Sequence, residues 1–259
     1  MASKFCWYEL MTSNASAAET FYSKVVGWSA SDAGMPNMAY TLLSVEDVPV
    51  AGLLQFPPNI PQGQGRPAWL GYVRVDDVDA TAAAAEKLGA KILQPPADIP
   101  DVGRFAVLTD PQGVCFAVFK PNGERPEAPP MTPGSISWHE LHTKEADKAL
   151  TFYSRLFGWK LIQDMDMGPI GTYHMFGDET TPMGMGGIFN DPDAATAQGY
   201  WLYYIAVSDI DAGMGRVKAN GGSVDFGPQQ VPGGAWIIQG TDPQGANFAL
   251  VGQRNEGAV

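Results

Sequence analysis

Two short apolar segments each carry one glutamate, and in one of them a histidine follows two residues later. Residues 5–11 read FCWYELM and residues 136–142 read ISWHELH. Side chains alternate between the two faces of a strand, so Glu140 and His142 share one face while His139 lies on the other. A carboxylate beside an imidazole suits general acid–base catalysis, because the two groups can hold different protonation states near neutral pH. Glu140 and His142 are therefore the candidate catalytic residues.

The string HELH is not the zinc-protease motif, which needs two histidines four residues apart on a helix. The chain has 3 histidines, all in its second half, and 2 cysteines. Cys6 and Cys115 lie too far apart in sequence for a zinc knuckle, and two cysteines are too few for a disulfide framework. Metal ligands of the usual kinds are therefore scarce.

The first glutamate segment has different neighbours. Met11 stands where His142 stands in the other segment, and Trp7 shares a face with Glu9. In residues 69–75, Tyr72 shares a face with Arg74, the one basic residue of that segment. This pattern predicts a Glu9–Arg74 pair.

Other roles remain open for these residues. Each glutamate could instead be held by backbone donors or a basic partner, serve as a functional carboxylate whose pKa is raised by burial, or be exposed at a strand end. The flat rings of the first-strand tryptophans could stack on an organic ligand or pack in the core. The candidate ligand-binding residues are Trp7, Glu9, Tyr72, Arg74, Trp138 and Tyr204.

Composition limits the classes of partner. The chain has 259 residues, with 28 acidic and 16 basic side chains and a formal net charge of −12. An acidic surface disfavours nucleic acid and anionic membranes. The first residues lack the apolar core of a signal peptide, and no apolar run reaches the roughly 18 residues of a membrane span. We expect a cytoplasmic protein that binds no nucleic acid and no membrane.

The chain repeats itself. Residues 5–28 align without gaps to residues 136–159, with 12 of 24 positions identical. WLGYVRVDDVDA and WLYYIAVSDIDA follow at an offset of 132 residues, as do TDPQGVCFAV and TDPQGANFAL. Such an ordered repeat predicts a tandem duplication of a unit of roughly 120 residues.

Each half contains the same predicted elements. Apolar residues at helical spacing precede Gly27 and Gly158, and glycine suits the left-handed position that ends a helix. Shorter helices are predicted to end at Gly89 and Gly221, with short strands between the helices. Residues 121–135 contain five prolines and predict a stiff, solvated linker. We therefore predict domains at residues 1–120 and 136–259, each with a β-α-β-β-β pattern repeated twice.

The sequences FYSKVVGW and FYSRLFGW and the two DPQG turns resemble the vicinal oxygen chelate superfamily. This superfamily includes glyoxalase I, bleomycin-resistance proteins and extradiol dioxygenases. The resemblance implies an α+β fold of four βαβββ modules, which form two glyoxalase-like domains with curved mixed sheets around a cavity. It also implies that the faces carrying Trp7 and Trp138 point towards the cavity.

Enzymes of this superfamily hold a divalent metal with His, Glu or Gln side chains near the start of the first strand and on the last strand of a module. The implied positions are Trp7, about Gly52, Leu70, Ala117, Trp138, about Gly187, Leu202 and Ala249. None of these residues is a metal ligand. We therefore expect no cofactor, the alternative being a divalent metal such as Zn, Ni, Mn or Fe.

Two classes of function follow. The first is an enzyme with lyase- or isomerase-type acid–base activity on a small organic molecule, carried by Glu140 and His142. The second is a non-catalytic protein that sequesters a hydrophobic or cationic compound, as bleomycin-resistance proteins do. A metal-dependent lyase or dioxygenase is the third interpretation. We expect a small organic ligand as partner and a monomer or homodimer.

Overall fold

The computed structural model describes residues 3–36, 38–57, 65–124, 126–195 and 198–255. Over these residues the chain forms sixteen β-strands and four α-helices, in a βαβββ order repeated four times. Two single-turn 3-10 helices lie at Gly168–Ile170 and Asp193–Ala195. The predicted α+β class and its four modules are confirmed.

The bounds of the elements follow the repeat. The first module contains β1 (Phe5–Thr12), α1 (Ala15–Val26), β2 (Ser29–Asp32), β3 (Tyr40–Val45) and β4 (Val48–Gln55). The second contains β5 (Ala68–Arg74), α2 (Val78–Lys87), β6 (Lys91–Ile99), β7 (Gly103–Thr109) and β8 (Cys115–Pro121). The third contains β9 (Ile136–Thr143), α3 (Ala146–Phe157), β10 (Lys160–Asp166), β11 (Thr172–Gly177) and β12 (Gly186–Asn190). The fourth contains β13 (Tyr200–Val207), α4 (Ile210–Ala219), β14 (Ser223–Gln230), β15 (Trp236–Thr241) and β16 (Asn247–Gly252).

Helices α1 and α3 end at the glycines that were predicted from the sequence. The side-chain oxygen of Asn14 accepts a hydrogen bond from the Ala17 N–H at 3.1 Å and caps α1. Gly27 and Gly158 end α1 and α3 with φ of +84° and +76°, a backbone region that glycine enters without steric cost. The apolar stripe of α1 is buried as predicted. Among the described residues, no helix combines the length and apolar character needed to cross a membrane.

The strands form two eight-stranded mixed sheets. The strand orders are β2-β3-β4-β1-β5-β8-β7-β6 and β10-β11-β12-β9-β13-β16-β15-β14. In every module the first and last strands are parallel neighbours. The register places Glu9 opposite Gly52 and Glu140 opposite Gly187.

By its internal contacts the chain divides into two compact units. The first comprises Met1–Trp7, Leu70–Arg125 and His139–Leu202, and the second comprises Tyr8–Trp69, Pro126–Trp138 and Tyr203–Val259. Each unit thus combines most of one module from each half of the repeat. Each sheet, in contrast, contains the eight strands of one half. The predicted domain boundaries at residues 120 and 136 stay a prediction.

A chain of buried hydrogen bonds links the two halves of the repeat within the second unit. The Trp69 indole N–H donates to the Tyr22 hydroxyl at 3.0 Å, and this hydroxyl donates to Asp242 at 3.1 Å. The other carboxylate oxygen of Asp242 accepts from the backbone N–H groups of Gln244 and Ala246, each at 2.9 Å. The helix motif of the first half thereby binds the DPQG turn of the second.

The first unit repeats this arrangement with the halves exchanged. Trp201 donates to the Tyr153 hydroxyl at 3.3 Å, and this hydroxyl donates to Asp110 at 3.2 Å. Burial is the main influence on both aspartates and raises the pKa of the Asp110 and Asp242 carboxyls, although their hydrogen-bond donors lower it. The two fold-defining motifs therefore stabilise each other between halves.

The proline-rich segment at residues 121–135 is less solvated than its composition predicts. Pro121 is the last residue of β8, and Arg125 lies outside the described residues. Gly134 and Ser135 are buried, and the Gly134 carbonyl accepts a hydrogen bond from the Trp28 indole at 2.8 Å. The prediction of a solvated linker is therefore wrong for Gly134 and Ser135, because a buried indole needs an acceptor and this end of the segment supplies it.

Candidate functional site

Strand β9 brings Glu140 and His142 together on one face. The His142 Nε2 atom lies 3.0 Å from Oε1 of Glu140. On the opposite face, the His139 Nδ1 atom lies 2.7 Å from the Met185 carbonyl oxygen. The His139 ring also stacks on Phe5, with 4.2 Å between ring centroids. Because side chains alternate between the two faces of a strand, His139 packs on one face and His142 contacts a carboxylate on the other.

His142 bridges two carboxylates. Its Nδ1 atom lies 2.8 Å from Oδ2 of Asp191, opposite the contact with Glu140. The ring stacks on Tyr200 with centroids 4.4 Å apart and meets the Phe189 ring edge-on at 4.7 Å. Both ring nitrogen atoms are therefore fixed, and aromatic contacts hold the plane of the imidazole.

The two carboxylates favour the protonated imidazole. Burial lowers the pKa of His142, but the hydrogen bonds and charges of Asp191 and Glu140 together outweigh burial and raise this pKa above its ordinary value. The hydrogen bond from His142 in turn holds the pKa of Asp191 below its ordinary value. The arrangement therefore stabilises the protonated form of His142 relative to a free imidazole.

A tyrosine completes the surroundings of Glu140. The Tyr173 hydroxyl, on β11, donates to Oε2 of Glu140 at 3.0 Å. Its ring lies over Gly187, where an added Cβ atom would overlap the phenol. Glycine is therefore required at this position of β12 if the tyrosine is to reach the carboxylate.

The first half contains a counterpart without a histidine. The Tyr40 hydroxyl donates to Oε2 of Glu9 at 2.9 Å, and its ring lies over Gly52. Met11 occupies the position of His142. The carboxylate–tyrosine contact is thus duplicated, whereas the histidine and its second carboxylate belong to the second half alone.

The other candidate residues lie on the predicted strands. Tyr72 is buried on β5, with its ring centroid 6.3 Å from that of Phe119. The Tyr204 hydroxyl, on β13, accepts a hydrogen bond from the Gln239 amide at 2.7 Å. Arg74 is half-buried at the end of β5.

The ligand-binding roles of the two first-strand tryptophans stay predictions. Trp7 is 9% exposed on β1, and Trp138 is half-buried on β9. Glu9 and Arg74 belong to different compact units. The Glu9–Arg74 pair stays a prediction.

Sequence reasoning missed four residues around Glu140 and His142. Tyr173 lies on β11, Phe189 lies on β12, Asp191 follows the end of β12, and Tyr200 begins β13. The equivalent places of Tyr40 and Tyr173 in the repeat were a usable signal for the tyrosine. Asp191 and Tyr200 have no such signal, because only the fold brings these residues to the imidazole.

The donor set does not fit a metal centre. Within the described residues, no group of three His, Cys, Asp or Glu side chains is placed to hold a metal ion. The two carboxylates near His142 bind opposite edges of its ring, so they cannot converge with one ring nitrogen on a single ion. Gly187, the position that the resemblance implies for a ligand, is covered by the Tyr173 ring.

Comparisons with known proteins agree with this architecture. A Mycobacterium bovis protein with the name "Putative glyoxylase CFP32" is 31% identical over 249 residues, which cover 95% of this chain and 93% of that protein. The Streptomyces peucetius protein named anthracycline biosynthesis protein DnrV is 30% identical over 266 residues, covering 95% and 91%.

Solved structures share the fold at low identity. The Mn(II)-bound glyoxalase from Novosphingobium aromaticivorans has a TM-score of 0.67 and 17% identity, covering 98% of this chain and 83% of that one. The 2,3-dioxygenase LapB from Pseudomonas sp. KL28 has a TM-score of 0.68 and 12% identity, covering 98% and 94%. The model of the Glyoxalase/Bleomycin resistance protein/Dioxygenase superfamily matches residues 4–118 and 135–250. The chain belongs to this superfamily and contains its domain twice.

Proposed function

We propose that this protein binds a small organic carbonyl compound beside Glu140 and His142 and moves a proton at the carbon next to the carbonyl. The observation that carries the proposal is the Asp191–His142–Glu140 chain of hydrogen bonds, at 2.8 and 3.0 Å. A chain of this kind can hold a proton donor and a proton acceptor at the same place. The reaction class would be a lyase- or isomerase-type proton transfer.

Each residue of the chain has a separate role in this proposal. Asp191 holds the Nδ1 side of the imidazole and keeps the ring in one orientation. Glu140 acts as the base that takes the proton from carbon. The protonated His142 supplies positive charge that offsets the negative charge developing on the substrate oxygen. The side chains of Glu140 and His142 are 10% and 6% exposed, so both are largely shielded from water and each retains a small accessible area.

The proposed reaction uses no metal ion. Its support is the geometry of the donor set, in which both ring nitrogen atoms of His142 are already held by carboxylates. The Mn(II)-bound glyoxalase shows that the fold also supports metal chemistry in a relative. For this chain we propose acid–base chemistry by side chains alone.

Exchange of substrate protons with solvent tests the proposal. A panel of small α-hydroxy aldehydes and ketones is incubated with the metal-stripped protein in D2O, and loss of the α-proton signal is followed by NMR. We expect enzyme-dependent exchange for at least one compound, and we expect Glu140→Gln to lower its rate by about 100-fold or more. The matched control is Glu9→Gln, which alters the equivalent carboxylate of the other half and should retain exchange. Equal exchange by Glu140→Gln and the unmodified protein would refute the role of Glu140.

Ligand sequestration is the second candidate, and the aromatic surroundings of His142 favour it. The rings of Tyr200 and Phe189 lie against the imidazole, and Tyr173 lies beside Glu140. Rings of this kind could stack on a flat ligand, and the net charge of −12 would attract a cationic one. The name of the Streptomyces relative makes an anthracycline a reasonable first probe. Binding of the probe in a thermal-shift assay, without proton exchange for any compound of the panel, would favour this function over catalysis.

A further inference from the structure

The ring of Tyr173 fills the space in which a ligand from β12 would have to stand. Gly187 lies opposite Glu140 in the parallel β9–β12 pair, and even a Cβ atom there would overlap the phenol. The hydroxyl of the same ring donates to Oε2 of Glu140, and His142 contacts Oε1. Both oxygen atoms of the carboxylate are therefore engaged, and the neighbouring position cannot carry a metal-binding side chain while Tyr173 stays.

The first half shows the same arrangement in different surroundings. Tyr40 donates to Oε2 of Glu9, Gly52 lies opposite Glu9, and a Cβ atom at Gly52 would overlap the Tyr40 phenol. Met11 stands where the second half has a histidine. The tyrosine–glycine–glutamate arrangement therefore does not depend on the histidine and its acid–base chain, since it persists where they are missing.

We infer that in each half the tyrosine of the third strand takes the place of a metal ligand, so that the glutamate accepts a hydrogen-bond donor or cationic group of an organic ligand and excludes a divalent metal ion. The inference deepens the proposed function and rests on it for the role of Glu140. Physically, the phenol supplies one neutral donor to a carboxylate that is buried in the second half and half-buried in the first, which lowers the cost of taking the charge out of water. The ring volume at the glycine excludes a further ligand.

Calorimetric titration of the metal-stripped, full-length protein with MnCl2 and with ZnCl2 tests the inference. We expect no stoichiometric binding by the unmodified protein. Tyr173→Ala opens the space beside Glu140 and His142, and because carboxylate and imidazole groups are zinc ligands it should bind Zn²⁺ about ten-fold more tightly than the unmodified protein, or better. Tyr173→Phe keeps the ring and should bind zinc no more tightly than the unmodified protein. Tyr40→Ala tests the first half independently and should gain less, because Glu9 has no histidine beside it.

Specific outcomes would overturn the inference. Binding of about one equivalent of Mn²⁺ or Zn²⁺ by the unmodified protein, lost in Glu140→Gln, would show that the tyrosine excludes no metal. A folded Tyr173→Ala with unchanged zinc affinity would show that the ring is not the cause, and Tyr173→Val, which keeps a β-branched side chain on β11, decides the same question if Tyr173→Ala does not fold. Proton exchange on metal-stripped protein tests the proposed function separately. The exchange could persist even if the metal titration overturns the inference about the tyrosine.

Discussion

His139 allows a direct test of how the burial of one side chain makes the stability of this fold depend on pH. Its imidazole is buried, its Nδ1–H donates to the Met185 carbonyl, and its ring stacks on Phe5. Burial is the main cause that lowers its pKa, from 6.5 to about 4. The folded protein therefore binds fewer protons than the unfolded chain between these two values. Stability from this group is present above pH 6.5 and is lost as the pH falls through 4, by about 3 kcal/mol at 1.36 kcal/mol per pKa unit.

The perturbation is His139→Asn, which removes the titrating ring and retains an N–H donor for the Met185 carbonyl. Free energies of unfolding are measured with urea, using tryptophan fluorescence, for both proteins from pH 7.5 to pH 4. We expect the unmodified protein to lose about 3 kcal/mol more than the variant over this range, because all other titrating groups are shared and cancel in the difference.

The control for this measurement is His174→Asn. His174 is half-buried beside Asp164 on an edge hairpin, and its removal leaves His139 in place. This variant should therefore keep the pH-dependent loss of the unmodified protein. Parallel pH dependences for His139→Asn and the unmodified protein would refute the reasoning.

Two further predictions concern the hydrogen-bonded chains. Asp191→Asn removes one of the two carboxylates that oppose burial, so the pKa of His142 should fall, and an NMR pH titration that matches the unmodified protein would contradict this. Tyr153→Phe removes the hydroxyl that joins Trp201 to Asp110 and should lower the free energy of unfolding by about 1–3 kcal/mol, since it leaves buried polar groups without this partner. Urea denaturation measures this loss, and an equally stable variant would show that the chain of hydrogen bonds contributes little.

The architecture was predictable from local signals and from the repeat. Helix ends at Gly27 and Gly158 depend on residues adjacent in sequence, and these positions agree with the structure. The two halves follow from a duplication that is visible without any structure, and the order of predicted elements within each half gives the four modules. The shared face of Glu140 and His142 also follows from strand alternation alone.

The surroundings of the candidate site were less predictable because they depend on the path of the chain between elements. Asp191 reaches His142 from beyond the end of β12, 49 residues away in sequence. No periodicity connects two such residues. The buried end of the proline-rich segment was missed for the same reason, since the Trp28 indole that it binds lies 106 residues earlier.

The two tyrosine–aspartate contacts that join the halves indicate how such a chain could arise. In each compact unit the helix tyrosine comes from one half and the aspartate of the turn comes from the other. A half-length chain would carry both partners of this contact but could form it in this way only with a second copy of itself. Two copies would make the contact twice, as the duplicated chain does. Gene duplication would then have converted an intermolecular bond of a symmetric pair into an intramolecular one, after which the two glutamate segments were free to diverge.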